Sequence, residues 1–295
     1  MTVLVTGSTG MLGRVLCGLL QKDYSVLRLS RQGTDGSLRC ELSDEGALRR
    51  VFEANRVDLV VNTAAYSDVD GCERDPKLAY DSNVLACKNL SVLCGAKNIP
   101  WVHVSTDYVF SGEKNEPHKE EDRTFPLSIY GCTKLAGEFY ALNSKAPCVV
   151  VRTSWLFGSG NPRTFVNWVS GRLKTEGIAS VLDNQTTAPT SVSDLSGAIV
   201  MIAKSLVDKK NRRQNEIFHV CNRGGTTHKG IAEFIRDNKF QKATVQKLDL
   251  SALPNRPAIR PRHSVMDPEK FEKTFGMKMR PWQDSLKEYI QECEF

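Results

Sequence analysis

No two of the nine cysteines are spaced as a CxxC pair. An odd, dispersed set of this kind argues against a disulfide framework and a zinc site, and fits reduced thiols in the cytosol. No metal site is expected. Long apolar runs are also missing: the longest, AIVMIA at Ala198–Ala203, is far short of a membrane span. The first residues open into a strand without the charged-then-apolar order of a signal peptide. Cys293 stands third from the end, where a prenylation box needs fourth. The expectation is a cytoplasmic protein with no membrane partner. Charge of one sign is not in excess, with 40 Lys and Arg against 34 Asp and Glu and a net +6. Its short basic clusters, KKNRR at Lys209–Arg213 and NRPAIRPR at Asn255–Arg262, carry no interleaved aromatics, so no nucleic-acid partner is expected. An anionic small molecule needs only a local positive pocket. Internal repeats and low-complexity segments are lacking, and ordinary apolar and charged fractions exclude disorder, collagen and coiled coil.

What is present is alternation. TVLVT (Thr2–Thr6) reads as a buried strand, and MLGRVLCGLLQK after it carries apolar residues at helical spacing. YSVLRLSR reads as a second strand. SDEGALRRVFEAN reads as a second helix with Ser43 as its N-cap. VDLVVNTAA (Val57–Ala65) is a third strand, and the next helix starts at Asp75-Pro76, cap then proline. PWVHVST and PCVVVRTS are further strands, with a helix after Tyr130 between them. This cadence predicts an α/β fold: a Rossmann-like, doubly wound parallel sheet with a smaller C-terminal substrate domain. The approximate, interwoven division is 1–155 with 190–220 for the cofactor and 156–189 with 221–295 for the substrate.

The stretch TGSTGMLG places Gly7, Gly10 and Gly13 three apart, where the first strand hands over to the first helix. Gly7 allows a tight turn, Gly10 lets the backbone approach a phosphate, and Gly13 lets the helix pack on the sheet, its N-terminus facing the anion. This context predicts dinucleotide binding. In NAD sites an acid about twenty residues on grips the ribose 2′-hydroxyl. Here that strand ends LRLSR, with Arg28, Ser30 and Arg31, which suits a 2′-phosphate. NADPH is the favoured cofactor, with NADH as a poorer substitute.

STDYVF (Ser105–Phe110) closes a strand, and YGCTK puts Tyr130 and Lys134 one helical turn apart. A free phenol, with a pKa of about 10, is a poor acid near neutrality, and a neighbouring ammonium is expected to lower it. With VNTAAYSDVDGCE, STDYVFSG, IYGCTKLAGE, RTSWLFG, NQTTAPT and RPAIRPRHS, the chain resembles the extended short-chain dehydrogenase/reductases, and among them the dTDP-4-dehydrorhamnose reductases, over nearly its whole length.

The resemblance implies hydride delivery from NADPH to the 4-keto carbon of a nucleotide-linked 6-deoxyhexulose. It implies Tyr130 as proton donor, Lys134 on the nicotinamide ribose and Thr106 on the same substrate oxygen. To the cofactor it assigns Thr9, Met11, Leu12, Glu41, Leu42, Asn62, Ala64, Ala65 and Tyr66, with Asn83 in an orienting role. To a nucleotide-diphosphate sugar it assigns Val69, Asp70, Trp155, Gln185 and Arg260, with Arg262 as a further charge for the diphosphate. The family's usual Asp-Gln is Asn184-Gln185 here, and its RPHNS is RPRHS, so sugar specificity is where the chain departs. The resemblance allows a homodimer. Two alternatives share the fold: a regulatory subunit like the β subunit of methionine adenosyltransferase, which keeps the Tyr-Lys pair, and a nucleotide-sugar epimerase holding NAD. RTSW and AAYSDVD read as reductase against the first, and the basic strand end argues against the second.

Overall fold

The computed structural model describes residues 1–159, 161, 164–208, 215–249 and 255–293; the basic stretch at 209–213 lies outside them. The amino-terminal half alternates as the sequence reads: β1 (Thr2–Thr6), α1 (Met11–Leu20), β2 (Ser25–Ser30), β3 (Leu38–Arg39), α2 (Glu45–Ala54) and β4 (Leu59–Asn62). Then come α3 (Val69–Arg74), α4 (Pro76–Tyr80), α5 (Ala86–Lys97), β5 (Trp101–Thr106), α6 (Ile129–Leu142) and β6 (Cys148–Thr153). β4 and β6 are buried along their whole length. Strands covered on both faces belong in a parallel sheet.

The carboxy-terminal half is more broken. It runs β7 (Leu156–Phe157), α7 (Phe165–Thr175), β8 (Ile178–Val181), β9 (Thr186–Thr187), β10 (Thr190–Ser191), α8 (Val192–Val207) and β11 (Glu216–His219). β12 (Thr226–Thr227), α9 (His228–Lys239), β13 (Thr244–Lys247), α10 (Glu269–Phe275) and α11 (Trp282–Glu292) follow.

The central sheet has seven parallel strands in the order β11-β6-β5-β4-β1-β2-β3. Leu16 and Leu20 of α1 meet Ile199 and Ile202 of α8 on one face; Leu48, Phe52, Leu90 and Ala141 of α2, α5 and α6 cover the other. A third core, including Val169, Leu173, Ile231, Ile235, Trp282 and Leu286, joins α7, α9 and α11 with β8. The strand order reverses between β1 and β4, so a crevice opens beyond their carboxyl ends, where doubly wound sheets bind ligands.

Two local expectations change. The cap of α2 is Asp44, whose carboxylate accepts the Ala47 N–H, so the helix starts one residue after the expected Ser43. The helix starting at Pro76, capped by Asp75, is interrupted by a wide π turn at Asp81–Leu85 before α5. Such turns cluster at functional sites, and this one bears Ser82 and Asn83.

Candidate active site

A cleft of about 840 Å³ follows the carboxyl edge of the sheet. At its cofactor end, Gly7 turns with φ +64°, and a Cβ there would lie 2.8 Å from the Ala64 backbone. A Cβ on Gly13 would lie 2.2 Å from the Gly7 carbonyl, so α1 can seat on the bend only without one. Gly10 is the N-cap of α1 and supplies no capping side chain, so the first-turn amides and the positive end of the helix dipole are open to an anion. Thr9, Met11 and Leu12 line the same wall. The cradle fits a pyrophosphate.

Ser30, Arg31, Glu41 and Leu42 line the next stretch, with Cys40, Ser82 and Ala86. Arg31 Nε lies 3.4 Å from Glu41 Oε2, and both side chains are about half exposed. Arg28 does not line the cleft: its guanidinium donates to the Asp35 carbonyl at 2.7 Å, behind the strand end. Arg31 is therefore the arginine facing the cofactor end.

The chemical end is assembled from β5 and α6. Ser128 caps α6 by accepting the Gly131 N–H at 3.2 Å. A Cβ on Gly131 would lie 2.3 Å from the Tyr108 carbonyl. Its absence lets the start of α6 lie against the turn that follows β5, bringing the Tyr130 and Tyr108 rings edge to face at 5.8 Å. One turn on, the buried Lys134 donates from Nζ to the Val104 carbonyl at 2.6 Å. Burial pulls its pKa down to about 8.

The Tyr130 phenol is raised, not lowered: burial pushes it above its ordinary value, the Thr106 hydroxyl opposes the shift, and the charge of Asp107 adds to it. The direction is opposite to the lowering expected from Lys134: burial and the neighbouring negative group set it. Burial reinforces the protonated form that a phenol already holds near neutrality.

The motif around Thr106 gives no sign of the part played by Asp107. Asp107 is buried, lines the cleft, and accepts hydroxyls from Thr106 (3.1 Å), Thr187 (3.2 Å) and Ser264 (2.5 Å). Burial nevertheless holds its pKa up at about 6. Glu138, one turn beyond Lys134, pairs bidentately with Arg152 of β6 at 2.9 and 2.7 Å and accepts Ser105 Oγ at 2.6 Å. This buried pair ties α6 to β5 and β6.

Trp155 lines the substrate side with its backbone at φ +30°, a conformation costing a non-glycine residue of order 1 kcal/mol. Its ring stacks on Phe165 at 5.3 Å and meets the His228 edge at 3.7 Å. Gln185, Val69, Ala64, Ala65 and Arg260 also line the cleft.

Besides Arg28 and Arg262, four residues expected at the ligands do not line it. Asn62 is buried, accepting the Thr6 hydroxyl at 2.6 Å and lying 3.0 Å from His103. Tyr66 packs its hydroxyl over Gly71 of α3, where a Cβ would lie 2.2 Å away. Asn83 accepts the Tyr66 N–H and donates to the Tyr66 carbonyl and to Thr133 of α6, fastening the loop after β4 to the helix that carries Lys134. Asp70 is engaged by Arg260 at 2.5 Å and by the Ala258 N–H; burial would raise its carboxyl, but these partners hold it below the usual range.

Comparison with known proteins gives the family. The model of the RmlD substrate binding domain family matches residues 1–295. The chain is 30% identical to a dTDP-4-dehydrorhamnose reductase of Sinorhizobium fredii, over 98% of this chain and 97% of that protein. A crystal structure of a dTDP-4-dehydrorhamnose reductase from Clostridium acetobutylicum superposes with a TM-score of 0.87 at 34% identity, covering 99% of both chains. One from Bacillus anthracis, in complex with NADP, gives 0.87 at 28% identity, again over 99% of both. The chain belongs to the RmlD substrate binding domain family of extended short-chain dehydrogenase/reductases.

Proposed function

We propose that this chain reduces the 4-keto group of dTDP-4-dehydro-L-rhamnose with NADPH, giving dTDP-L-rhamnose. The observation that carries the reading is convergence: the glycine bend, Thr106, Tyr130, Lys134 and Trp155 all line one cleft. Relatives that carry the reductase name over almost their whole length support it above the regulatory-subunit and epimerase alternatives.

The bound dinucleotide supplies the hydride. The open amides at the start of α1 hold its pyrophosphate, and Arg31 with Ser30 takes the 2′-phosphate. Tyr130 donates its phenolic proton to the substrate oxygen as negative charge develops there, a contribution typically worth 10²–10⁴-fold. Thr106 hydrogen-bonds the same oxygen. Lys134, anchored on the Val104 carbonyl, has further N–H groups for the ribose hydroxyls. Trp155 gives the sugar an apolar wall.

The third core, built from residues after 156, supports reading 156–189 and 221–295 as the substrate domain and 1–155 with 190–220 as the cofactor domain. Among the described residues no helix is long and apolar enough to cross a membrane, and the protein is read as cytoplasmic. A homodimer is part of the same reading, and Val92 of α5 and Phe139 of α6 are exposed apolar residues open to a partner copy.

The test is direct. Purified protein with NADPH and dTDP-4-dehydro-L-rhamnose should consume the reduced cofactor, followed by its absorbance. No consumption with this substrate or its UDP counterpart would sink the reading.

A further inference from the structure

The substrate end of the cleft carries an unequal set of charges. Arg256 and Arg260 both line it. Arg260 is already matched: its two terminal nitrogens reach the two Asp70 oxygens at 3.1 and 2.5 Å, and one also donates to the Ala258 carbonyl. Arg262, the other arginine that the sequence pointed to, is exposed and does not line the cleft. Arg256 is half-buried and makes no hydrogen bond or ion pair among the described residues.

The surroundings explain why an anion is wanted there. Two guanidinium groups face the Asp70 carboxylate, which Arg260 engages. Asp107, the other carboxylate near Tyr108, is taken up by the hydroxyls of Thr106, Thr187 and Ser264, so Arg256 is left without a paired counter-charge in a partly desolvated place. The His228 ring, on the same wall, adds no further positive charge: burial and the charges of Arg256 and Arg260 push its imidazole down to about 3, so it stays neutral. Burial and the neighbouring Arg260 also disfavour the Arg256 cation, while Asp70 and Tyr108 favour it. Tyr108 packs on Tyr130, which places this surplus charge by the chemical end of the cleft and apart from the glycine bend.

We propose that Arg256, and not Arg260 or Arg262, is the cation that takes the diphosphate of the nucleotide-linked substrate, with the Asp70–Arg260 pair acting as a fixed, self-neutralised wall beside it. This rests on the nucleotide-sugar reading above. A guanidinium fork matches two phosphate oxygens at once, and a group poised without a partner gives up no existing bond to bind them. Arg260 would have to leave a bidentate carboxylate first. Recognition then follows the chemistry of the linkage: a sugar carried on a nucleoside diphosphate binds, and the free sugar does not.

The experiment separates binding from turnover. Full-length wild type, Arg256→Ala and Arg256→Lys are loaded with NADP⁺, and dTDP is titrated by calorimetry. KM for the keto-sugar is measured in parallel with NADPH. Arg256→Ala should weaken dTDP and raise KM by about 10- to 100-fold, the usual range for one charge-assisted contact. NADP⁺ affinity should stay within twofold, and Arg256→Lys should recover part of the loss. Binding of dTDP to Arg256→Ala within twofold of wild type overturns the proposal, as does a larger loss in Arg262→Ala. If wild type binds dTDP through Arg256 yet reduces no keto-sugar, the reductase reading falls and this assignment stands. If wild type does not bind dTDP, this assignment falls whatever the turnover.

Discussion

Gly131 is the position where a single methyl group should test the catalytic geometry. An added Cβ would meet the Tyr108 carbonyl at 2.3 Å, whereas ordinary contact begins near 3.4 Å. The obstacle is backbone in the turn at Asp107–Val109 that follows β5, so relief must come from α6 backing away by about 1 Å. Tyr130 is the preceding residue and moves with it, while Thr106 stays on the strand. A misplacement of that size at a reacting centre costs about 10²-fold, or about 2.7 kcal/mol of barrier. Alanine also improves helix propensity by about 1 kcal/mol, against about 1–3 kcal/mol for overpacking, so the net loss of stability is small. Gly131→Ala should therefore remain folded by circular dichroism, bind NADPH within a few-fold of wild type, and lose kcat about a hundredfold. A folded variant with kcat within threefold of wild type would refute the idea that this close approach sets the alignment of Tyr130.

Three further outcomes follow from the same structure. Tyr130→Phe should keep NADPH affinity and lose 10²- to 10⁴-fold in turnover in a steady-state assay; full activity would remove it as proton donor. Glu138→Gln leaves the Arg152 guanidinium buried without its counter-charge, and should lower the unfolding free energy by about 3 kcal/mol in a urea titration; a change below about 1 kcal/mol would mean that the pair contributes little. Burial and the charge of Arg152 push the His219 imidazole down to about 3 from 6.5. The unfolded chain therefore takes up this proton as pH falls through 6.5 while the folded chain does not, and stability drops by about 1.4 kcal/mol per pH unit. Asp107, held up at about 6, acts with the opposite sign below that pH. Wild type should thus lose about 2 kcal/mol more than His219→Asn between pH 7 and pH 5, and equal losses would rule His219 out.

The parts of the site that were legible in the sequence are those whose spacing is local. Three glycines at a strand-to-helix junction constrain backbone within one turn, and a tyrosine and lysine four apart share a helix face. What stayed hidden depends on distant partners. Asp107 stands beside Thr106 in the same motif, and its role shows only when Thr187 and Ser264, 80 and 157 positions away, reach it. Arg28 and Arg31 look equivalent at a strand end, yet Arg28 bends back to Asp35 and Arg31 faces the cleft. The π turn at Asp81–Leu85 has no signature in a periodicity of 3.6, and it sets Asn83 toward Tyr66 and Thr133 instead of a ligand. The carboxy-terminal half was hardest because its core joins helices far apart in the chain through strands of two to four residues.

The carboxylate of Asp107 has one oxygen toward Thr106 and the other toward hydroxyls borne by the later part of the chain. Any shift of that later part relative to the sheet changes how firmly the carboxylate is held, and so how readily it releases the single hydrogen that Thr106 can offer. Seating of the sugar and readiness for proton transfer are then not separate adjustments. On the proposed reading, a substitution made far from Tyr130 to admit a different sugar would alter the acid–base behaviour of the centre through Asp107.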